Sequence, residues 1–250
     1  MDKLEPAAVH PITIYPSETF PMPHNSAATL AALLLLAPLL AAPVQAGQHS
    51  SLTIGDGPVI TGSGHIVSQS RQTGSFDAVQ TKGAVDLEIV IGPQIAVTVD
   101  MDDNLQDLMH TEVQGRTLVI DSKGSWSADH DLHVRITVPA LSALAMEGSG
   151  GAMLKGLNGG DLALRIAGSG DIDASGHVAS LGVLLNGSGD ARLGALQADT
   201  AKVRINGSGD VTVNATLTLE ASVYGNGDIR YRGNPKVNSH VYGNGTVEKQ

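Results

Sequence analysis

The sequence predicts an all-β protein, a stacked, parallel β-helix-like solenoid with coils of 18–20 residues, preceded by a β-rich N-terminal part. Three observations carry this prediction. The tripeptide Gly-Ser-Gly begins at Gly148, Gly168, Gly187 and Gly207, and Gly-Asn-Gly begins at Gly225 and Gly243, at spacings of 20, 19, 20, 18 and 18 residues. Apolar and polar residues alternate on both sides of each tripeptide. Aromatic residues make up only 3% of the 250 residues, against 30 glycines, which suits thin layers of small and aliphatic side chains better than a compact core built around large rings.

The flanks align on the first glycine of each copy. Two residues before it stand Met146, Ile166, Leu185, Ile205, Val223 and Val241, and four before it Leu144, Leu164, Val183, Val203, Ala221 and Ser239. Four residues after it stand Ala152, Ile172, Ala191, Val211, Ile229 and Val247, and six after it Leu154, Ala174, Leu193, Val213, Tyr231 and Lys249. Period-2 alternation on each side of a glycine pair reads as strand, tight bend, strand. One copy cannot bury its own apolar face. Copies stacked about 4.8 Å apart would merge these positions into continuous ladders. The period favours a β-helix coil over a blade or a helical repeat, since a propeller blade needs roughly twice the length and an ankyrin or TPR unit about 33 residues. In-register stacking would place Asp173 over Arg192 and Arg230 over Glu248, as register marks.

Residues 84–139 alternate without the glycine period. Val85, Leu87 and Ile89 form one alternating set and Ile95, Val97 and Val99 another, with a turn at Gly92-Pro93-Gln94 between them. Residues 104–110 suit one short helical turn, and residues 113–117 suit a hairpin into Leu118 and Ile120. Residues 122–130 read as a polar loop holding Trp126, and Leu132, Val134, Ile136 and Val138 alternate up to Pro139, which marks the passage into the repeats.

Residues 27–40 are nearly all Ala and Leu, too short to span a bilayer comfortably and suited to a signal-peptide core, with Val44-Gln45-Ala46 as the cleavage site. A signal peptide opens on positive charge, yet residues 1–25 hold only Lys3, so Met22 reads as an alternative start. The expected organisation is a signal peptide over 1–46, an N-terminal segment over 47–75, a β-rich N-terminal part of the same domain over 76–140 and the repeat stack over 141–250.

The net charge is −10, and without residues 1–46 it is 14 − 22 = −8. No run of Lys or Arg provides the basic footprint that phosphate binding needs, so nucleic acid is not an expected partner. The absence of cysteine excludes disulfides, thiolate nucleophiles and cysteine-ligated metal. No stretch after residue 46 is apolar enough to cross a membrane as a helix.

The order of motifs resembles a known family. Gly62-Ser63-Gly64 leads to Arg71 and Phe76-Asp77-Ala78-Val79, followed by Asp103-Asn104-Leu105, Leu118-Val119-Ile120 and Val134-Arg135-Ile136-Thr137-Val138-Pro139. The Gly-Ser-Gly-Asp copies then run on to Gly227-Asp228-Ile229-Arg230-Tyr231-Arg232-Gly233-Asn234-Pro235. Over about residues 62–250 this resembles the bacterial family described as putative auto-transporter adhesin, head GIN domain. The resemblance implies an exported all-β stack and brings no catalytic residues. An autotransporter carries a C-terminal membrane barrel of roughly ten-residue alternating strands. No such run follows the last repeat before Gln250, so the expectation is a chain without a barrel of its own.

Asp171, Asp190, Asp210 and Asp228 follow the glycine bend in four copies. Stacked, they form an acidic row that is the candidate calcium site, against the plainer reading that each carboxylate accepts backbone N–H groups at the corner. Asp129, His130, Asp131 and His133 form the most metal-like cluster, although a strand there turns His130 and His133 to opposite faces. Asn186, Asn206, Asn214 and Asn244 match the glycosylation pattern, three of them simply as repeat corners. Tyr224, Tyr231 and Tyr242 suit either a small aromatic surface or a packed cap. No catalytic residue, cofactor or metal beyond the calcium candidates is expected.

These features point to an exported, non-enzymatic binding or structural protein of the periplasm or cell surface, with an envelope or surface ligand, such as an adhesin. A β-helix carbohydrate-active enzyme is one alternative. A periplasmic accessory protein, binding a partner or a second copy of itself through the sheet edge at residues 246–250, is another.

Overall fold

The computed structural model describes residues 59–250; the signal-peptide segment over 1–46 lies outside the described residues. The chain forms an all-β solenoid, stacked as the glycine period predicts. The N-terminal strands are β1 (Ile60–Thr61), β2 (Ile66–Arg71), β3 (Ala78–Lys82), β4 (Asp86–Ile91) and β5 (Ala96–Asp102). A 3-10 turn over Asp103–Leu108 follows, where the sequence suggested a helical turn, and then β6 (Met109–Gln114), β7 (Thr117–Ser122), β8 (Trp126–Ser127) and β9 (His133–Val138).

The repeats supply β10 (Ala143–Gly148), β11 (Gly151–Asn158), β12 (Asp161–Gly168), β13 (Asp171–Gly187), β14 (Ala191–Gly207), β15 (Val211–Gly225), β16 (Ile229–Arg232), β17 (Lys236–Gly243) and β18 (Val247–Lys249). Each glycine tripeptide is a corner between two faces. Strand segments before the corners pair in parallel from β10 through β12 and the second halves of β13, β14 and β15 to β17. Segments after the corners pair from β11 through the first halves of β13, β14 and β15 to β16 and β18. The register follows the period: Gly148, Gly168, Gly187, Gly207, Gly225 and Gly243 lie in one column. Asp173 pairs with Arg192 and Arg230 with Glu248, as expected from the spacing.

The corner must be glycine for a steric reason. A Cβ on Gly168 or Gly187 would overlap the carbonyl oxygen of the glycine one coil below, and both have φ near +140° (141° and 143°). With no side chain there, each coil settles onto the next closely enough for Ser188 N–H to donate to Gly168 O at 2.9 Å and Ser208 N–H to Gly187 O at 2.9 Å.

The two faces enclose one core. The columns two residues before and four residues after the corner are buried through most of the stack, with Leu185, Ile205, Val211 and Ile229 at 0% exposure. Val241 in the last coil is 41% exposed.

The stack extends further toward the N-terminus than the glycine period does. β3 pairs in parallel with β10, placing Val79 beside Leu144 and Thr81 beside Met146, and β4 pairs with β11, placing Leu87 beside Ala152 and Ile89 beside Leu154. Gly83, at φ 90°, takes the corner position beneath Gly148. The segment β3–β4 is therefore a coil whose corner is spelled Gly83-Ala84-Val85. β7 and β9 add a further layer beneath it in parallel register, with Leu118 beside Val79 and Val134 beside Leu87. The end of the stack is then formed by antiparallel pairs: β6 on β7, β5 on β9 and β2 on β5. The hairpin predicted over residues 113–117 is the β6–β7 connection.

Gly62-Ser63-Gly64 has the repeat's spelling but not its role. Ser63 N–H donates to Asn104 Oδ1 at 3.0 Å and Asn104 Nδ2 donates to Thr61 O at 2.8 Å, so this tripeptide packs onto the 3-10 turn and forms no corner.

Candidate functional site

The four predicted aspartates form a row on the outside of the corner, and their hydrogen bonds define what they do. Asp171 Oδ1 accepts the backbone N–H of Asp190 at 2.9 Å, Asp190 Oδ1 that of Asp210 at 3.0 Å, and Asp210 Oδ1 that of Asp228 at 2.9 Å. Asp228 Oδ1 accepts both the N–H and the hydroxyl of Thr246 at 2.8 Å. Each carboxylate satisfies a backbone donor of the next coil that the corner leaves without a strand partner. Asp86 does the same for Gly151 N–H at 2.7 Å. It is a member of the row that no glycine tripeptide precedes, which is why spacing alone misses it.

Two arginines pair with the row. Arg192 lies 2.9 Å from Asp171, 3.2 Å from Asp190 and 3.5 Å from Asp173. Arg230 lies 2.9 Å from both Asp210 and Asp228 and 3.4 Å from Glu248. The hydrogen bond to Asp171 raises the Arg192 guanidinium above its ordinary value, and the bond to Asp210 does the same for Arg230. The Thr246 hydroxyl and N–H hold the Asp228 carboxyl below the usual range. Calcium takes six to eight oxygen ligands, whereas in this row one oxygen of each carboxylate is tied to backbone, and an arginine bridges Asp171 with Asp190 and another Asp210 with Asp228.

The metal-like cluster of the sequence is rearranged. Asp129, His130, Asp131 and His133 are all exposed, but only Asp131 and His133 converge, flanking the buried Leu132. They meet Asp86 of β4, whose backbone pairs with His133, and one ligand atom from each of the three side chains lies within 4.8 Å of the others. An extended chain turns residues i and i+2 to one side, so Asp131 is the natural companion of His133. Asp86, 45 positions earlier, could be found only from the stacking.

The tyrosines divide. Tyr224 and Tyr242 stack on the outer face with centroids 5.0 Å apart and planes at 12°, and the Arg204 guanidinium sits 4.5 Å from the Tyr224 centroid. Tyr231 is half-buried and packs against the core. Two of the sequon asparagines belong to a side-chain ladder, with Asn206 Nδ2 donating to Asn186 Oδ1 at 2.6 Å. Asn244 Nδ2 donates to Asn226 Oδ1 at 3.0 Å in the same way. A shallow pocket of about 270 Å³ beside β2 and β5 is lined by Arg71, Thr73, Ile95 and Thr98. The Arg71 guanidinium turns to the buried Gln106, donating to its backbone oxygen at 2.8 Å and to Oε1 at 2.9 Å. No helix among the described residues is long and apolar enough to cross a membrane.

The family profile described as putative auto-transporter adhesin, head GIN domain, matches residues 75–235. The chain belongs to this family. Solved structures share its fold. A putative adhesin from Bacteroides fragilis superposes with a TM-score of 0.64 at 22% identity, covering 76% of this chain and 100% of that one. A putative adhesin from Parabacteroides distasonis gives a TM-score of 0.50 at 23% identity, covering 77% of this chain and 100% of that one. A putative lipid binding protein from the same species gives 0.49 at 23% identity, with the same coverage. No functionally curated protein matches the sequence. At this identity the solved structures speak for the fold, and the family's own description, that of a putative adhesin, suggests a non-enzymatic binding role.

Proposed function

We propose that this head GIN domain protein is exported and serves as a non-enzymatic binding or structural component of the cell envelope, an adhesin in the sense of its family description. One observation carries the reading. The clustered carboxylates, which are the most prominent chemistry of the repeats, are engaged with backbone N–H groups and two arginines, and what remains for a ligand is the pair of long, regular outer faces. A glycosidase needs one carboxyl held protonated beside a second that is ionised. Here each aspartate of the row repeats its neighbour's surroundings, and Asp228 is shifted away from protonation.

Protease shaving of intact cells, with mass spectrometry of the released peptides, tests the placement. Peptides from residues 59–250 released before a periplasmic marker leaks support surface adhesion. Protection until the envelope is opened overturns it and favours the second reading, a periplasmic accessory protein with a protein partner. That alternative draws on the C-terminal edge. Among the described residues β17 pairs only with β15 and β18 only with β16, and Tyr242 on β17 is 60% exposed. An open edge of this kind accepts an added strand. Assays on acidic and neutral polysaccharides test the enzymatic alternative, and turnover of any of them would sink the non-enzymatic assignment.

A further inference from the structure

Asp86, Asp131 and His133 differ from the rest of the acidic row in what surrounds them. Asp171, Asp190, Asp210 and Asp228 each have an arginine within 3.2 Å. Asp86 and Asp131 have no Lys or Arg within 4.0 Å among the described residues, although their ligand atoms lie within 4.8 Å of each other and of the His133 ring. Two carboxylates so placed repel each other unless a cation joins them. We propose that Asp86, Asp131 and His133 bind a divalent transition-metal ion of the zinc type.

The backbone holds the three ligands ready. Leu132, 3% exposed, anchors its segment in the core and leaves Asp131 and His133 on the same outer side. β4 and β9 are adjacent parallel strands paired at Asp86 and His133, and Leu132 O accepts Asp86 N–H at 2.9 Å. The Asp86 carboxylate is itself fixed by Gly151 N–H at 2.7 Å. A hydrogen bond of this kind orients a ligand and strengthens a metal site. Zinc bonds of about 2.0–2.2 Å to nitrogen and oxygen require donors within about 4.4 Å of one another. Small side-chain rotations of the exposed Asp131 and His133 close that distance.

The donor set selects the ion. One imidazole nitrogen and two carboxylate oxygens suit zinc and its neighbours in the transition series, with water completing the four-coordinate shell. Calcium requires six to eight oxygens and gains nothing from the imidazole. Two ionised carboxylates balance a divalent charge. The bound ion would tie β9 and the preceding loop to β4, at the layer where the repeats meet the antiparallel pairs at the end of the stack.

Calorimetric titration of the exported chain with Zn²⁺, repeated with Ca²⁺, tests the site. The expected result is one equivalent of Zn²⁺ bound in preference to Ca²⁺, weakened by more than about tenfold in Asp131→Asn and in His133→Gln, a loss at least as large as that from removing a hydrogen-bond partner of a metal ligand. The Asp190→Asn control is expected to bind as the unmodified chain does. Both altered ligands are exposed, so the variants keep the fold, which circular-dichroism melting checks. The thermal midpoint is expected to rise with Zn²⁺ in the unmodified chain and not in the double variant that combines Asp131→Asn with His133→Gln. Absence of a stoichiometric Zn²⁺ site, equal or tighter binding of Ca²⁺, or Zn²⁺ binding that survives in the double variant overturns the assignment.

Discussion

At Gly189, the third position of a corner, a Cβ would overlap the carbonyl oxygen of Gly170 in the coil below, and neither backbone can move without breaking a ladder. Gly182, seven residues earlier and inside β13, has only Leu162 O at 4.0 Å from the same hypothetical atom. Gly189→Ala is therefore expected to destabilise by about 1–3 kcal/mol, the range of an overpacked core. Gly182→Ala should be neutral or mildly stabilising, because alanine restricts the unfolded chain. Urea unfolding of the two variants side by side checks this, and equal losses would refute the steric account. The aspartates after the corner carry a pH signature. Thr246 holds the folded-state value of Asp228 below its unfolded value near 3.9. The stability it contributes is thus fully present above pH of about 4 and is lost as pH falls through the depressed folded value. Asp228→Asn removes that titration. Its urea midpoint should fall less steeply than that of the unmodified chain below pH of about 4, with parallel profiles above pH of about 5.

At the scale of the element, Arg192 reads three carboxylates from two coils, Asp171 and Asp173 of one and Asp190 of the next. Its side chain is 52% exposed, so solvent screens the interaction. Arg192→Gln should cost about 0.5–1 kcal/mol at low ionic strength and less at about 1 M salt, where the Debye length falls to about 3 Å. A loss that does not shrink with salt would mean that the guanidinium acts through packing instead. The Asp173–Arg192 pairing was legible in the sequence because the period fixes register, and one residue's position relative to the corner then fixes its neighbours. The coil over β3 and β4 was not legible as a coil, because Gly83-Ala84-Val85 keeps one corner glycine and replaces the other with valine. Nor was the insertion of β7 and β9 beneath it, since a layer added against the order of the chain leaves no mark in a linear period. The metal-ligand group failed for the same reason. Asp131 and His133 stood in one short segment, but the ligand that completes them comes from the neighbouring strand, and pairing across 45 residues is a property of the stack.

Across the whole molecule the two ends differ. The N-terminal end is built of antiparallel pairs, β6 on β7, β5 on β9 and β2 on β5, and the C-terminal end of the parallel strands β17 and β18; at both ends the outermost strands, β2 and β6 or β17 and β18, have a strand partner on one side only among the described residues. In a solenoid each coil is stabilised chiefly by the coils directly above and below it, so a deletion in the middle removes contacts with two neighbours and one in the last coil with a single neighbour. Leu185 is fully buried in the column between Ile166 and Ile205, and Val241 occupies the equivalent position three coils further on at 41% exposure. Leu185→Ala is expected to cost about 2–5 kcal/mol, the range for truncating a buried leucine, and Val241→Ala under about 1 kcal/mol. The urea slope distinguishes how the coils are coupled. With strong coupling Leu185→Ala unfolds in one transition at a lower midpoint and with an unchanged slope, since the same surface is exposed. With weak coupling the damaged centre separates the array, and the transition broadens or splits as the coils on its two sides unfold separately. The core is a single continuous cluster from Phe76 to Ile229, and that continuity favours the single transition.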